Sequence, residues 1–194
     1  MKDIKTCDHI CSGNCRRVGC NCECGEWHCD PKDECRYKGE ECVNHPTFVY
    51  NDGGRANAGY KGNTGDCVTR AIAIASGRPY QEVYDRLAEG NATQRRSRGR
   101  KHSKDGVRTA SRGINTTRKW YKDYMKELGF EWKPTMFIGQ GCKVHLKANE
   151  LPKGNLVVNV SKHYVAVIDG VINDTYNPSR DGTRCVYGYY IKIV

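Results

Sequence analysis

The sequence contains no run of 18 apolar residues, which excludes a membrane-spanning helix. Its first residues, MKDIKTCDHICSGNC, lack the apolar segment of a secretory signal, so the chain as it stands is expected in the cytoplasm. Acid is scarce relative to base, with 22 Asp/Glu against 32 Lys/Arg and a net charge of +10. Such an excess favours acidic or nucleic-acid partners and says nothing about fold. With 38% hydrophobic residues, 28% charged and a mean hydropathy of −0.76, the chain is wet for a globular protein but too apolar for disorder throughout. Its 194 residues suit one ordinary domain, or one domain with a small appendage.

What is present is unevenly spread. Nine of the twelve cysteines fall between Cys7 and Cys42; the others are Cys67, Cys142 and Cys185. Residues 1–46 carry seven Lys/Arg and nine Asp/Glu, whereas residues 47–194 carry 25 and 13. Both shifts coincide near Pro46, which divides the chain into a Cys/His-rich module, 1–46, and a body, 47–194. The large apolar residues of the module are Ile4, Ile10, Val18, Trp27, Tyr37 and Val43, too few to offset chain entropy in so short a piece. Coordinate or covalent bonds must hold it. Cys7, Cys11, Cys15, Cys20, Cys22, Cys24, Cys29, Cys35 and Cys42, with His9 and His28, and His45 nearby, offer thiolate and imidazole ligands for structural zinc. Disulfides are the alternative, but nine is an odd number and no export signal precedes them.

In the body, residues 47–50 read as a short strand, followed by a glycine-rich loop over 51–65. Cys67, Ala71, Ile74 and Ala75 form a buried helical stripe stopped by Gly77. Pro79 opens a second helix with Tyr80, Val83, Tyr84 and Leu87 inward, ended by Gly90. Residues 93–122 hold eleven Lys/Arg and one acid, Asp105; within them 93–112 read as a mobile basic loop flanking the cleft, with His102 exposed. Thr116 or Thr117 caps a third helix with Trp120, Tyr124 and Leu128 inward and Gly129 at its end. Strands follow near 135–138, 156–160, 163–168, 171–174 and 185–193. Helices first and strands afterwards give an α+β domain, with an antiparallel sheet packed on helices.

Cys67 opens its helix, where the dipole and free N–H groups lower a thiol pKa and can bind an oxyanion. The Asp169-Gly170 pair is a two-residue hairpin turn. It sets Ile168 opposite Val171, Ala166 opposite Asn173, Val165 opposite Asp174 and His163 opposite Tyr176. His163 and Asp174 then share one face as diagonal neighbours, while Asn173 points to the other. Nucleophile, base and orienting group follow the logic of a catalytic triad. Asp66 is a candidate N-cap, or a neighbouring acid whose charge would raise the thiol pKa, so no catalytic role is assigned to it. His145 and Cys142 are read as structural.

The order Cys, His, Asp, together with Gly65-Asp66-Cys67, Arg70, Ala71, His163, Asp169-Gly170 and Asp174-Thr175, resembles papain-like cysteine peptidases. Over residues 53–194 the chain is similar to small phage-encoded and bacterial members of that fold, which would place it in a host cytoplasm. The resemblance implies Cys67 as nucleophile, His163 as general base and then acid, and Asp174 as orienter. It implies a thiol hydrolase acting on a peptide, isopeptide or related amide, with no cofactor for catalysis and a peptide or protein as partner. An acyl transferase of the same fold would end the acyl-enzyme with an amine. Papain-like enzymes place a Gln before the nucleophile as oxyanion donor; here Asn63, with the Cys67 backbone N–H, is the nearest substitute. The alternative reading is a metal-clamped nucleic-acid-binding protein that uses residues 93–122 on an inactive or secondary papain-like scaffold.

Overall fold

The computed structural model describes residues 47–62, 64–93, 109–111 and 114–193. The metal-ligand candidates of the module, Asn63, and most of the basic segment lie outside the described residues. The described chain is α+β: β1 (Phe48–Tyr50), α1 (Cys67–Ser76), α2 (Tyr80–Ala92), α3 (Lys119–Glu127), β2 (Phe130–Pro134), β3 (Asn155–Val160), β4 (His163–Ile168), β5 (Val171–Asp174) and β6 (Val186–Lys192). The strands form one six-stranded sheet in the order β1-β5-β4-β3-β6-β2, with β1 parallel to β5 and every other pair antiparallel. Among the described residues no helix is long and apolar enough to cross a membrane.

Period-two alternation assigns the two sheet faces to two cores. Val157, Ala166 and Tyr190 meet the buried residues of the three helices, among them Ile72, Val83, Leu87, Tyr121 and Met125. On the other face Leu156, Val158, Val165, Val167 and Ile172 are covered by Leu146 and Leu151, from the long β2–β3 connection. A disulfide between Cys142 and Cys185 and a bridge pairing His145 with Cys185 fasten that connection to the start of β6. The His145 backbone N–H donates to the Glu150 carboxylate at 2.6 Å, and its ring Nδ1 lies 3.1 Å from the same oxygen, which fits the structural reading of His145 and Cys142.

The central helix is more deeply set than a one-sided stripe. In α1 the residues Val68 to Ala73 and Ala75 are all buried, since the helix packs on β3 and β4 and has α2 along its side. Gly77 takes φ +74° and donates its N–H to Ala73, as a C′ glycine does. The third helix differs from expectation at its cap, which is Arg118; Tyr124 is buried and Trp120 and Leu128 pack on the core as expected, with Tyr121 and Met125 buried beside them. The Asn115 side chain accepts from the Thr117 N–H and hydroxyl, forming a turn ahead of the helix in place of a threonine cap. The strand expected over 135–138 is also displaced. Phe130–Pro134 forms the edge strand, and Met136, Phe137 and Ile138 are exposed and irregular. Pro134 has no N–H to give, and an edge position tolerates that.

Gly90 does not end α2, which continues to Ala92. Its role is contact: a Cβ there would sit 2.5 Å from Trp120 Cζ3 and closer still to Cε3. Helix propensity alone predicts that Gly90→Ala stabilises by about 1 kcal/mol. The overlap with a rigid ring costs more, about 1–3 kcal/mol or beyond. Gly90→Ala is therefore expected to destabilise the chain, read as a lower urea midpoint with unchanged m. A raised midpoint would overturn the packing argument.

Candidate active site

The observed hairpin register matches the turn argument: Ile168 pairs with Val171, Val167 with Ile172 and Ala166 with Asn173. Asp169 (φ +50°) and Gly170 (φ +89°) both take the left-handed conformation that a type I′ turn requires. His163 opens β4, directly after the Ser161-Lys162 turn, and Asp174 closes β5. Their side chains meet across the face they share, with His163 Nε2 2.5 Å from Asp174 Oδ2. Tyr176 lies beside the imidazole, ring centroids 5.2 Å apart. Asn173 points to the opposite face and accepts a hydrogen bond from the Asn51 amide at 3.2 Å.

Cys67 begins α1 and is the free cysteine of the described residues, since Cys142 and Cys185 are bonded to each other. Nothing in the spacing of those two announces the pairing. The Cys67 thiol forms a hydrogen bond with His163, whose Nε2 is already held by Asp174, which leaves Nδ1 to face the sulfur. The Tyr164 backbone N–H also donates to the sulfur. Burial pushes the thiol up, but the His163 hydrogen bond and charge, the Tyr164 amide and the Arg70 guanidinium outweigh it, and the thiol titrates below its ordinary value. Burial pushes His163 down, and its hydrogen bonds and charge interactions with Asp174 and Cys67 lift it to about 9. Both shifts act in the same direction, favouring a thiolate beside a protonated imidazole.

Arg70, one turn along α1, is 7% exposed and bridges two carboxylates. Its Nη2 lies 3.3 Å from Asp174 Oδ1, and its Nη1 bonds Asp66 Oδ1. Asp174 thus divides its oxygens: Oδ2 holds His163, while Oδ1 takes Arg70 and the Thr175 N–H at 2.7 Å. Asp66 is fully buried and occupies the N-cap position without capping. Its carboxylate turns instead to Arg70, to Arg55 Nε at 2.9 Å and to the Tyr80 hydroxyl at 2.6 Å. The first-turn N–H groups of α1 are left without a side-chain acceptor, next to the sulfur, and the two arginines compensate the charge that would have raised the thiol pKa. The loop before α1 approaches closely to allow this. Gly53 has φ +67°, and a Cβ on it would lie 3.1 Å from the Arg70 carbonyl oxygen.

Sequence reasoning named Arg70 only as a motif residue and Tyr80 only as a core residue, without their roles around Asp66, and missed Arg55 and the Tyr164 amide. The Asp66/Arg70 pair carried a signal, an opposite-charge pair at i,i+4 inside a helix that is otherwise apolar. Among the described residues no group of three or more His, Cys, Asp or Glu is arranged to hold a metal ion.

Removing the Asp66 charge leaves the buried Arg70 and the part-buried Arg55 sharing fewer anions. Asp66→Asn is expected to cost about 3–5 kcal/mol of unfolding free energy. A loss under 1 kcal/mol in denaturant titrations would show that the cluster is not a stabilising anchor. Comparison with protein-family models, curated proteins and solved structures returned no match.

Proposed function

We propose that residues 47–194 are a papain-like thiol hydrolase that cleaves a peptide, isopeptide or related amide through an acyl-enzyme. The observation that carries this reading is the continuous relay from Cys67 through His163 to Asp174, with a lowered thiol and a raised imidazole. The Cys67 thiolate attacks the carbonyl carbon and forms the C–S bond. The oxyanion is received by N–H groups at the start of α1. Protonated His163 gives its proton to the leaving amine as the C–N bond breaks, leaving a thioester and a neutral imidazole. His163 then takes a proton from water, which attacks the thioester and releases the acid, and the thiolate–imidazolium pair is restored. Asp174 holds the ring through both steps, and Arg70 holds Asp174 as a positioning residue.

The experiment is labelling of Cys67 by acyl electrophiles, read by mass spectrometry. Cys67→Ala and His163→Ala are expected to abolish acyl-probe labelling. Asp174→Asn should weaken it far less, since an amide oxygen still accepts from the ring, and Asn173→Ala should leave it within about twofold. A dead Asn173→Ala variant with an active Asp174→Asn would overturn the assignment of the orienting group.

The pH dependence follows from the shifts. The imidazolium persists while pH stays below about 9, and the thiol beside it ionises at lower pH than an ordinary one. Alkylation of Cys67 by iodoacetamide should begin at lower pH than that of the unfolded chain. Acyl transfer should fall above pH about 9, as His163 loses the proton needed by the leaving amine. Arg70→Lys should preserve most of this profile and Arg70→Gln should move it, whereas a residue needed only for folding would change the amount of active protein and not the profile. Cys67 reacting no faster at pH 7 than an unfolded thiol would end the enzymatic reading.

A further inference from the structure

Between α3 and the β2–β6 edge of the sheet lies a cavity of about 500 Å³, within the range of ligand pockets. Its apolar walls are Phe130, Trp132, Tyr164 and Tyr190, with Trp132 and Tyr190 packed at 4.8 Å between centroids. Tyr164 belongs both to this cavity and to the site. Its ring, fixed by a 2.8 Å hydrogen bond to Thr116, walls the cavity, and its backbone N–H points at the Cys67 sulfur. A group bound at the thiol and a group in the cavity are therefore separated by one residue of this chain.

Two polar features mark what the cavity takes. Asn159, opposite Tyr164 in the β3–β4 ladder, lines it with a side-chain amide that makes no hydrogen bond among the described residues. Lys122 and Lys126, one turn apart on α3, stand at its edge. The neighbouring acids are engaged elsewhere: Asp123 with Lys119, Glu127 with Arg86 and Glu131 with Lys133. Two like charges at i,i+4 repel each other, and neither has a carboxylate partner among the described residues.

We propose that this cavity is a substrate subsite for an aromatic side chain next to the scissile bond, followed by an acidic residue that the two lysines receive. The inference rests on the reading of Cys67 as nucleophile. In extended substrate backbone each residue advances about 3.4 Å, and Tyr164, which adjoins the sulfur through its backbone and walls the cavity with its ring, is what a side chain next to a carbonyl at Cys67 would pass. Asn159 is placed to bond the substrate's peptide group.

The test is binding to the full-length Cys67→Ala chain, followed by NMR shifts of the Asn159 side-chain amide and the Trp132 indole. Acetyl-Phe-Glu-amide is expected to bind at least tenfold more tightly than acetyl-Ala-Glu-amide and at least threefold more tightly than acetyl-Phe-Lys-amide. The second ratio should shrink with salt and reverse in the Lys122→Glu/Lys126→Glu variant. Equal affinity for the Phe and Ala peptides, shifts confined to other residues, or tighter binding of adenosine monophosphate than of the Phe-Glu peptide would overturn the proposal. Because the binding variant has no thiol, these results are separate from iodoacetamide labelling of unaltered Cys67. Failed labelling removes the nucleophile and with it the subsite reading, whereas fast labelling with unselective binding removes only the subsite.

Discussion

Arg70 is a cation inside a protein core, and the neighbouring elements are arranged around the need to neutralise it. Leaving such a charge unpaired costs several kcal/mol, so its position dictates where two carboxylates must stand. One comes from the residue before its own helix and the other from the end of β5. Through Asp66 the network reaches Arg55 and Tyr80, which tie in the glycine-rich loop and α2. Through Asp174 it reaches His163 and then Cys67. With the thiol proton on the imidazole, the chain of charges holds Arg55, Arg70 and His163 as cations and Asp66, Asp174 and Cys67 as anions. The sum is neutral, which is the condition under which so many ionised groups are tolerated with so little water.

The second face of the sheet has a different support. Leu146 and Leu151 reach it from a connection of irregular backbone, and such a segment buries little on its own. The Cys142–Cys185 link spans 43 residues of sequence. Closing a loop of that size removes about 4 kcal/mol of freedom from the unfolded chain in the entropic account. Arg184, next to the bonded Cys185, donates to the Ser161 carbonyl in the turn that launches His163. The covalent staple therefore acts at the base of the strand that carries the imidazole.

How far the sequence could be read depended on the range of each cause. The β4–β5 hairpin was legible because Asp169-Gly170 selects the turn and period two does the rest, so the choice of Asp174 over Asn173 needed no long-range knowledge. The Cys67 helix and its Gly77 stop were equally local. Gly90 was misread because the ring that demands a glycine there lies 30 residues away on another helix. The apolar run at 136–138 suggested a strand, but an edge strand is defined by its partner, and β6 pairs with Phe130–Pro134 instead. The Arg70–Asp174 contact crosses 104 residues and left no trace in spacing. The zinc ligands and the Asn63 oxyanion donor were readings of residues outside the described set.

The β3–β4–β5 meander turns twice through two-residue links, so its strands find each other by closing short loops. The thiol comes from nearly a hundred residues upstream, on α1, which packs against β3 and β4. During synthesis at roughly 5–20 residues per second, Cys67 precedes Asp174 by a time on the order of 5–20 s. For that interval the Cys67 thiol has neither the imidazole nor the carboxylate that lower its pKa in the folded chain, and it titrates as an ordinary thiol. The order of the chain thus withholds the groups that lower the Cys67 thiol until almost the whole body has been made.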